Sequence, residues 1–221
     1  MIPIVSIVGK SNSGKTTLIE KITPELNMRG YKVATVKHDV HGFNIDREGK
    51  DSWRHKKAGA HTTVISSPQK IALIRDIEKD LSLDELRGIF IKDVDIIISE
   101  GYKNDRHPKI EVYRKDAHRE LLCSKKDILI ALASDKEFDI GIPCININDI
   151  KGVVDIIEDR FLKNERGPSI ILRVNSKSIT LKPFVKDMLI RSISGMISAL
   201  KDCEDPKEVE IRVSSQGSVR E

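Results

Sequence analysis

The chain has 221 residues, 39% apolar and 33% charged, with 38 basic against 34 acidic side chains and a net charge of +4. That is the mix of a soluble globular chain with one good core or one domain plus a small annex; no apolar run approaches the ~18 residues of a membrane span, and nine scattered aromatics with so mild a positive excess do not make a nucleic-acid surface. Three distant cysteines allow no disulfide framework or C-x-x-C metal pair, and MIPIVSIVGK lacks the features of a signal peptide, so a reducing, cytoplasmic setting is expected.

Ile4–Val8 reads as a buried strand, followed by a Gly-rich loop and a helix from about Lys15 to Arg29 with Leu18, Ile22 and Leu26 on one face. Pro24 should kink or weaken that helix, and Gly30 should stop it. Val33–Lys37 is a strand and Asp51 to about Ala58 a short helix. Thr62–Ser66 and Ile71–Arg75 flank SPQK as a hairpin. Ser82 and Glu85 form a capping box that opens a helix to about Phe90. Val94–Ser99, Ile110–Tyr113, Ile128–Ala133 and Pro143–Ile147 are further strands, and Asp149 caps a helix to about Lys163. Alternating strands and helices predict an α/β fold with a mostly parallel sheet flanked by helices over residues 1–165, which the glycine loop GKSNSGKT (9–16) makes a P-loop NTPase. The pattern then changes. Ile170–Val174 and Ile179–Lys182 bracket NSKS, Pro183 starts a helix, and Glu208–Val213 alternates like a half-exposed strand. Residues 168–213 are therefore expected to form a small β-β-α-β annex, and 214–221 a flexible tail.

The chemistry starts at residues 9–16, GKSNSGKT, which fit G-x-x-x-x-G-K-[ST] between a strand and a helix. Gly9 and Gly14 let the backbone turn, and the amides of Lys10, Ser11, Asn12 and Ser13 form an anion nest at a helix N-terminus. Lys15 is expected to reach the β- and γ-phosphates of a nucleotide, and Thr16 to ligate Mg²⁺. Glu100 ends an apolar strand in ISEGYK, placed to hold Mg²⁺ by way of water or to orient an attacking water. Asp95, at the other end of that strand, should face away from the loop.

Between them lies VKHDVHGFNIDREGKDSWRHKKAGA (36–60), with His38, His41 and His55 beside Asp39, Asp46 and Asp51. A metal site and a solvated polar loop both fit that composition. Its position after the second strand favours a γ-phosphate sensor or substrate segment, in which Asp46 or Asp51 reaches Mg²⁺ through water and Lys37 and Lys50 bind phosphate. Trp53 reads as a packing residue. In LASDKE (132–137), Asp135 stands where GTP-binding P-loop proteins place a base-reading carboxylate, but the usual N/T-K-x-D word is absent. A guanine contact and an ordinary polar turn both stay open there.

Together, GKSNSGKTTL, the 36–60 stretch and DIIISEGYK resemble the molybdopterin-guanine dinucleotide biosynthesis protein B family, MobB, over about residues 1–163. The specific words are K-H-x-x-H, D-x-x-G-K-D-S-x-R and A-G-A. The resemblance implies a homodimeric protein that binds GTP with Mg²⁺ and hydrolyses it slowly. It implies a role in assisting a MobA-like molybdenum cofactor nucleotidyltransferase, which attaches GMP to molybdopterin, or in delivering the finished cofactor, with molybdopterin itself as a further ligand. Gly9, Ser13, Gly14, Lys15, Thr16 and Thr17 match the nucleotide loop. Lys37, His38, Asp46, Lys50, Asp51 and Ser52 match a second motif suited to pterin, phosphate or Mg²⁺, and Glu100 matches the third. Asp51 and Glu100 are the expected catalytic carboxylates and, with Thr16, the expected Mg²⁺ ligands. Asn12 departs from the family's usual Gly, and the annex lies beyond its short form.

A second class of function is a P-loop kinase or ATP-dependent ligase, with the 37–55 loop holding a small acceptor and Asp39 or Asp46 as general base. Arg47, Arg54, Arg106, Arg114 and Arg119 are available cations, yet no arginine-rich lid is visible. The K-H-x-x-H and G-K-D-S words favour the first class.

Overall fold

The computed structural model describes residues 1–117, 119–124, 127–163, 170–175, 177–179, 181–201, 203, 206, 208–211 and 213, which divide into two compact units, 2–164 and 165–221 with Met1. In the first unit the elements run β1 (Ile4–Val8), α1 (Lys15–Met28), β2 (Val33–Lys37), α2 (Asp51–Lys57), β3 (Thr62–Ser66), β4 (Ile71–Arg75) and α3 (Leu83–Phe90). They continue with β5 (Ile96–Glu100), β6 (Lys109–Tyr113), β7 (Leu129–Ser134), β8 (Cys144–Asn146), α4 (Ile150–Ile157) and a π-helical turn over Glu158–Leu162.

Six strands pair in the order β2-β5-β1-β6-β7-β8, every pair parallel. The antiparallel pairing of this unit is confined to the separate β3–β4 hairpin. A parallel sheet buries both faces, and β1 and β6 are buried at every position. Leu18, Ile22 and Leu26 of α1 pack with Val153, Val154 and Ile157 of α4 on one face. Leu83 of α3 packs with Ile4 and Ile97 on the other. The insertion of β5 between β1 and β2 is what sets the site, because it puts the end of β5 beside the loop that follows β1.

The local signals act where their chemistry places them. Ser82 accepts from the Glu85 amide while Glu85 accepts from the Ser82 amide, and that second bond, with the Lys79 ammonium at 3.0 Å, lowers the pKa of the Glu85 carboxyl to about 2. Asp149 accepts from the Gly152 amide at the start of α4. At the end of α1 the Tyr31 amide donates to the Leu26 carbonyl and the Gly30 amide to that of Asn27, with Gly30 at φ 88°: a Schellman turn. Pro24 does not break α1, since Leu26 beyond it remains fully buried on the same face. Asp95 bonds the Lys32 amide, at the end of β5 remote from the loop.

In the second unit, β9 (Leu172–Val174) and β10 (Lys177–Ile179) pair antiparallel, and α5 (Pro183–Ser198) begins with its proline in the first turn. The hairpin turns earlier than the NSKS reading, because Asn175 adopts a left-handed backbone (φ 49°) and reverses the chain at once. Residues 208–211 and 213 form no strand, so the final β of the expected annex is not present among the described residues. The tail 214–221 lies outside the described residues.

Candidate functional site

The loop between β1 and α1 is built on three left-handed or near-left-handed positions: Gly9 (φ 152°), Asn12 (φ 63°) and Gly14 (φ 94°). A Cβ on Gly9 would stand 2.6 Å from the Val112 carbonyl oxygen, so no larger residue fits. Asn12 is explained by the same geometry: glycine takes this conformation freely, and asparagine is among the few side chains that tolerate it. Gly14 caps α1 without a side chain, leaving the first amides of the helix free of any side-chain cap. Ser13 is buried beneath the loop, and its Oγ has no hydrogen-bond partner among the described residues.

Glu100 meets this loop. Its two carboxylate oxygens both lie 3.0 Å from Thr16 Oγ1. The approach is fixed from below, where Glu100 is in register with Ile7 and the buried Ser99 hydroxyl donates to Ser6 Oγ at 2.8 Å. The Lys15 ammonium folds over the loop and donates to the Lys10 carbonyl at 2.9 Å. Ser11, Asn12, Gly14, Lys15, Thr16, Thr17 and Glu100 line a cleft of about 470 Å³. A hydroxyl and a carboxylate side by side are hard oxygen donors; Mg²⁺ typically takes one or two such protein groups and completes its shell with water and substrate phosphate. The uncapped amides and Lys15 suit the anion such an ion accompanies. These residues therefore fit a Mg²⁺–nucleotide pair. Thr16, Glu100 and water would hold the ion, which would neutralise phosphate charge. Among the described residues no group of three or more His, Cys, Asp or Glu could hold a metal by itself.

The second motif is distributed differently. His38 donates its backbone N–H to the Glu100 carbonyl at 3.0 Å, stacks on Tyr102 at 4.4 Å and lies 2.7 Å from Asp80 through Nε2. Gly101 (φ 95°) and Tyr102 (φ 54°) turn the chain sharply after Glu100. Burial, with the charges of Asp80 and Asp105, pushes the Tyr102 phenol up. His38 thus braces the backbone behind Glu100. Lys37 pairs with Glu100 across the strands, and its side chain is exposed. Asp46 accepts from the Ser52 hydroxyl at 2.9 Å and the Arg47 amide at 2.8 Å, tying the loop to the start of α2. Lys50 caps α2, and Asp51 opens it, with Arg54 at 3.7 Å. Asp135 accepts from the Lys115 amide at 2.9 Å. Lys37, His38, Asp46, Lys50, Asp51 and Asp135 do not line the cleft. Trp53 is half-buried, with the Lys57 ammonium 4.5 Å from its ring centre, as a packing residue would be.

One neighbour of the loop carried no motif. The Arg114 guanidinium stands over Gly14, with Nε 3.2 Å from where a Cβ would sit. Its only mark in the sequence is its place directly after an apolar strand.

A fully parallel sheet, a glycine loop running into a helix and a carboxylate at the end of the neighbouring strand define an α/β protein of the P-loop NTPase class. The profile of the family described as molybdopterin guanine dinucleotide synthesis protein B, MobB, matches residues 4–135. The molybdopterin-guanine dinucleotide biosynthesis adapter protein of Haemophilus influenzae is 36% identical over 159 residues, covering 72% of this chain and 89% of the relative. A relative from Methanocaldococcus jannaschii with the same adapter description is 26% identical, and its match covers 95% of this chain and 97% of the relative. The crystal structure of a molybdopterin-guanine biosynthesis protein B superposes with a TM-score of 0.58 at 31% identity, over 71% of this chain and 97% of that one. The chain belongs to the MobB family.

Proposed function

We propose that the protein is a GTP-binding adaptor of molybdopterin guanine dinucleotide biosynthesis. It takes GTP with Mg²⁺ at residues 9–17 and hydrolyses it slowly. The carrying observation is the Thr16–Glu100 pair at the mouth of the cleft, which brings a Mg²⁺-binding hydroxyl and a carboxylate to a helix N-terminus built to receive phosphate. The adapter relatives support the biosynthetic role, in which a nucleotidyltransferase and molybdopterin are the natural partners. A homodimer is supported by the β3–β4 hairpin. It is a two-stranded unit that exposes Val64, Ile65, Ile71 and Leu73, and such a unit is marginal without a partner surface. No helix among the described residues is long and apolar enough to cross a membrane, and we place the protein in the cytoplasm.

Titration of the purified protein with GTP and ATP, each with and without Mg²⁺, tests this reading. GTP is expected to bind better than ATP, with Mg²⁺ dependence and turnover far below ~1 per second. Lys15→Ala should abolish binding; wild-type affinity in that variant would overturn the assignment of the loop. Glu100→Gln should remove most of the Mg²⁺ dependence. Asp51→Asn then decides the role of the second motif: an equal loss places Asp51 at the ion when nucleotide is bound, and no change leaves the ion to Thr16 and Glu100.

A further inference from the structure

The phosphate loop has two flanks. On one, β5 delivers Glu100 to Thr16. On the other, β6 lies against β1 and ends at Tyr113, so that Arg114 is the first residue beyond the strand. Its Nε and Nη2 stand 3.2 and 3.4 Å from the Cβ position of Gly14, and the side chain is exposed. Among the described residues it makes no ion pair, although 34 acidic side chains are available in the chain.

The backbone that carries Arg114 is tied down on both sides. Tyr113 is in register with Ser134 of β7, and the next amide, that of Lys115, donates to Asp135 Oδ1 at 2.9 Å. The Ala117 amide closes a turn on the Arg114 carbonyl at 3.1 Å. Further on, the buried Glu111 carboxylate accepts from the amides of Leu122 and Cys123 and anchors the segment that follows. An exposed guanidinium on a fixed turn, poised over the last glycine of an anion nest, has the chemistry of a phosphate clamp, since its planar fork can donate two parallel hydrogen bonds to one phosphate.

We infer that Arg114 binds the non-terminal phosphates of a nucleoside di- or triphosphate, and that Asp135 is a positioning residue that holds the Arg114 turn. The inference rests on the nucleotide reading of the loop given above. Lys15 and the Thr16–Glu100 pair gather the terminal phosphate and its Mg²⁺ on the β5 flank. The rest of the polyphosphate then crosses Gly14 toward β6, where Arg114 meets it. Of the two readings the sequence left open for Asp135, a guanine contact and a polar turn, this assignment takes the second, with the carboxylate acting on the backbone through the Lys115 amide.

The test is a titration of the full chain with Mg²⁺–GTP, Mg²⁺–GDP and Mg²⁺–ATP, comparing wild type, Arg114→Ala, Arg114→Lys, Asp135→Asn and Lys15→Ala. Arg114→Ala should weaken GTP and GDP alike by about tenfold or more, the scale of a lost charged hydrogen bond. Arg114→Lys should recover only part of it, because an ammonium lacks the fork. An unchanged melting temperature for Arg114→Ala would show that the loss is one of binding. Asp135→Asn should leave GTP and ATP within about twofold of wild type, because the asparagine oxygen still accepts from the Lys115 amide. Arg114→Ala within about twofold of wild type for both guanine nucleotides, while Lys15→Ala has lost them, would overturn the inference and leave the loop assignment standing. A loss confined to GTP and GDP in Asp135→Asn would make Asp135 a base reader and overturn its positioning role. Retained binding in Lys15→Ala would remove the nucleotide reading on which both depend.

Discussion

The two units of the chain solve the problem of stability differently. Every buried apolar side chain of the described core, from Ile4 to Leu162, belongs to the first unit. The described part of the second contributes none, although α5 has an apolar spacing: Phe184 is 76% exposed, Met188 46% and Met196 63%. The contrast follows from size and layering. A parallel sheet covered on both faces encloses side chains completely, whereas the one hairpin and one helix among the described residues of the second unit have too little volume to do so. The match to the Methanocaldococcus jannaschii relative extends over almost the whole chain and the match to the Haemophilus influenzae protein does not.

The sharpest test of this contrast is a deletion in the sheet. Ile98 is fully buried in β5 between β1 and β2. Ile98→Ala should cost about 2–5 kcal/mol, read as a lower urea midpoint at unchanged slope. Conversely, a chain ending at Lys163 should keep its Mg²⁺–GTP affinity, because every residue that lines the cleft precedes residue 101. Loss of binding in that fragment would show that the second unit is part of the site.

A smaller effect is expected where α1 meets the last helical turn of the first unit. Arg29 reaches Glu25 at 2.9 Å, Asp155 at 2.6 Å and Glu158 at 2.7 Å, and Tyr31 donates to Glu158 at 2.8 Å. The Tyr31 hydroxyl first, and then the Arg29 guanidinium, hold the Glu158 carboxyl below the usual carboxylate range. A carboxyl with a depressed folded value adds stability that is complete above its unfolded value, near ~4.3, and is lost as pH falls through the lower folded one. Arg29→Ala should cost about 1.5–3 kcal/mol at neutral pH. In Tyr31→Phe the loss of stability below about pH 4.3 should be shallower than in wild type. An identical acid profile in the two proteins would remove Glu158 from that role.

Much of the first unit was legible because its signals are local. The β3–β4 hairpin, the Ser82–Glu85 box, Asp149 and the phosphate loop each depend on a few neighbouring residues, and the structure builds them within a residue or two of the expected bounds. Glu100 was legible through strand order, which only needed β5 to lie beside β1. What the sequence hid depends on chain ends meeting in space. Arg114 has no motif, and it reaches Gly14 only because β6 takes the other side of β1. Lys109 and Glu111 carried no expectation, yet both are buried in β6, with the Lys109 ammonium bonded to the carbonyls of Asp105 and His107. In the 36–60 stretch the sequence supplied the side chains but not their partners: Asp46 accepts from Ser52 at the start of α2, His38 stacks on Tyr102, and Asp51 faces solvent, where the Asp51→Asn titration tests it.

The smallest effect belongs to the annex, and it separates two meanings of an apolar helix face. Phe184 lies in the first turn of α5 and is 76% exposed. A side chain that gains little burial on folding loses little when truncated, so Phe184→Ala should change stability by less than about 0.5 kcal/mol. The same substitution in a core costs about 3–5 kcal/mol. The comparison is best made by urea denaturation at two protein concentrations about a hundredfold apart, because self-association contributes stability in proportion to the logarithm of concentration. A negligible effect at both concentrations leaves α5 a solvent-facing helix. A cost above about 2 kcal/mol that appears only at the higher concentration would mean that a second chain buries this face, and the exposure of Phe184 would then be a property of the single chain alone.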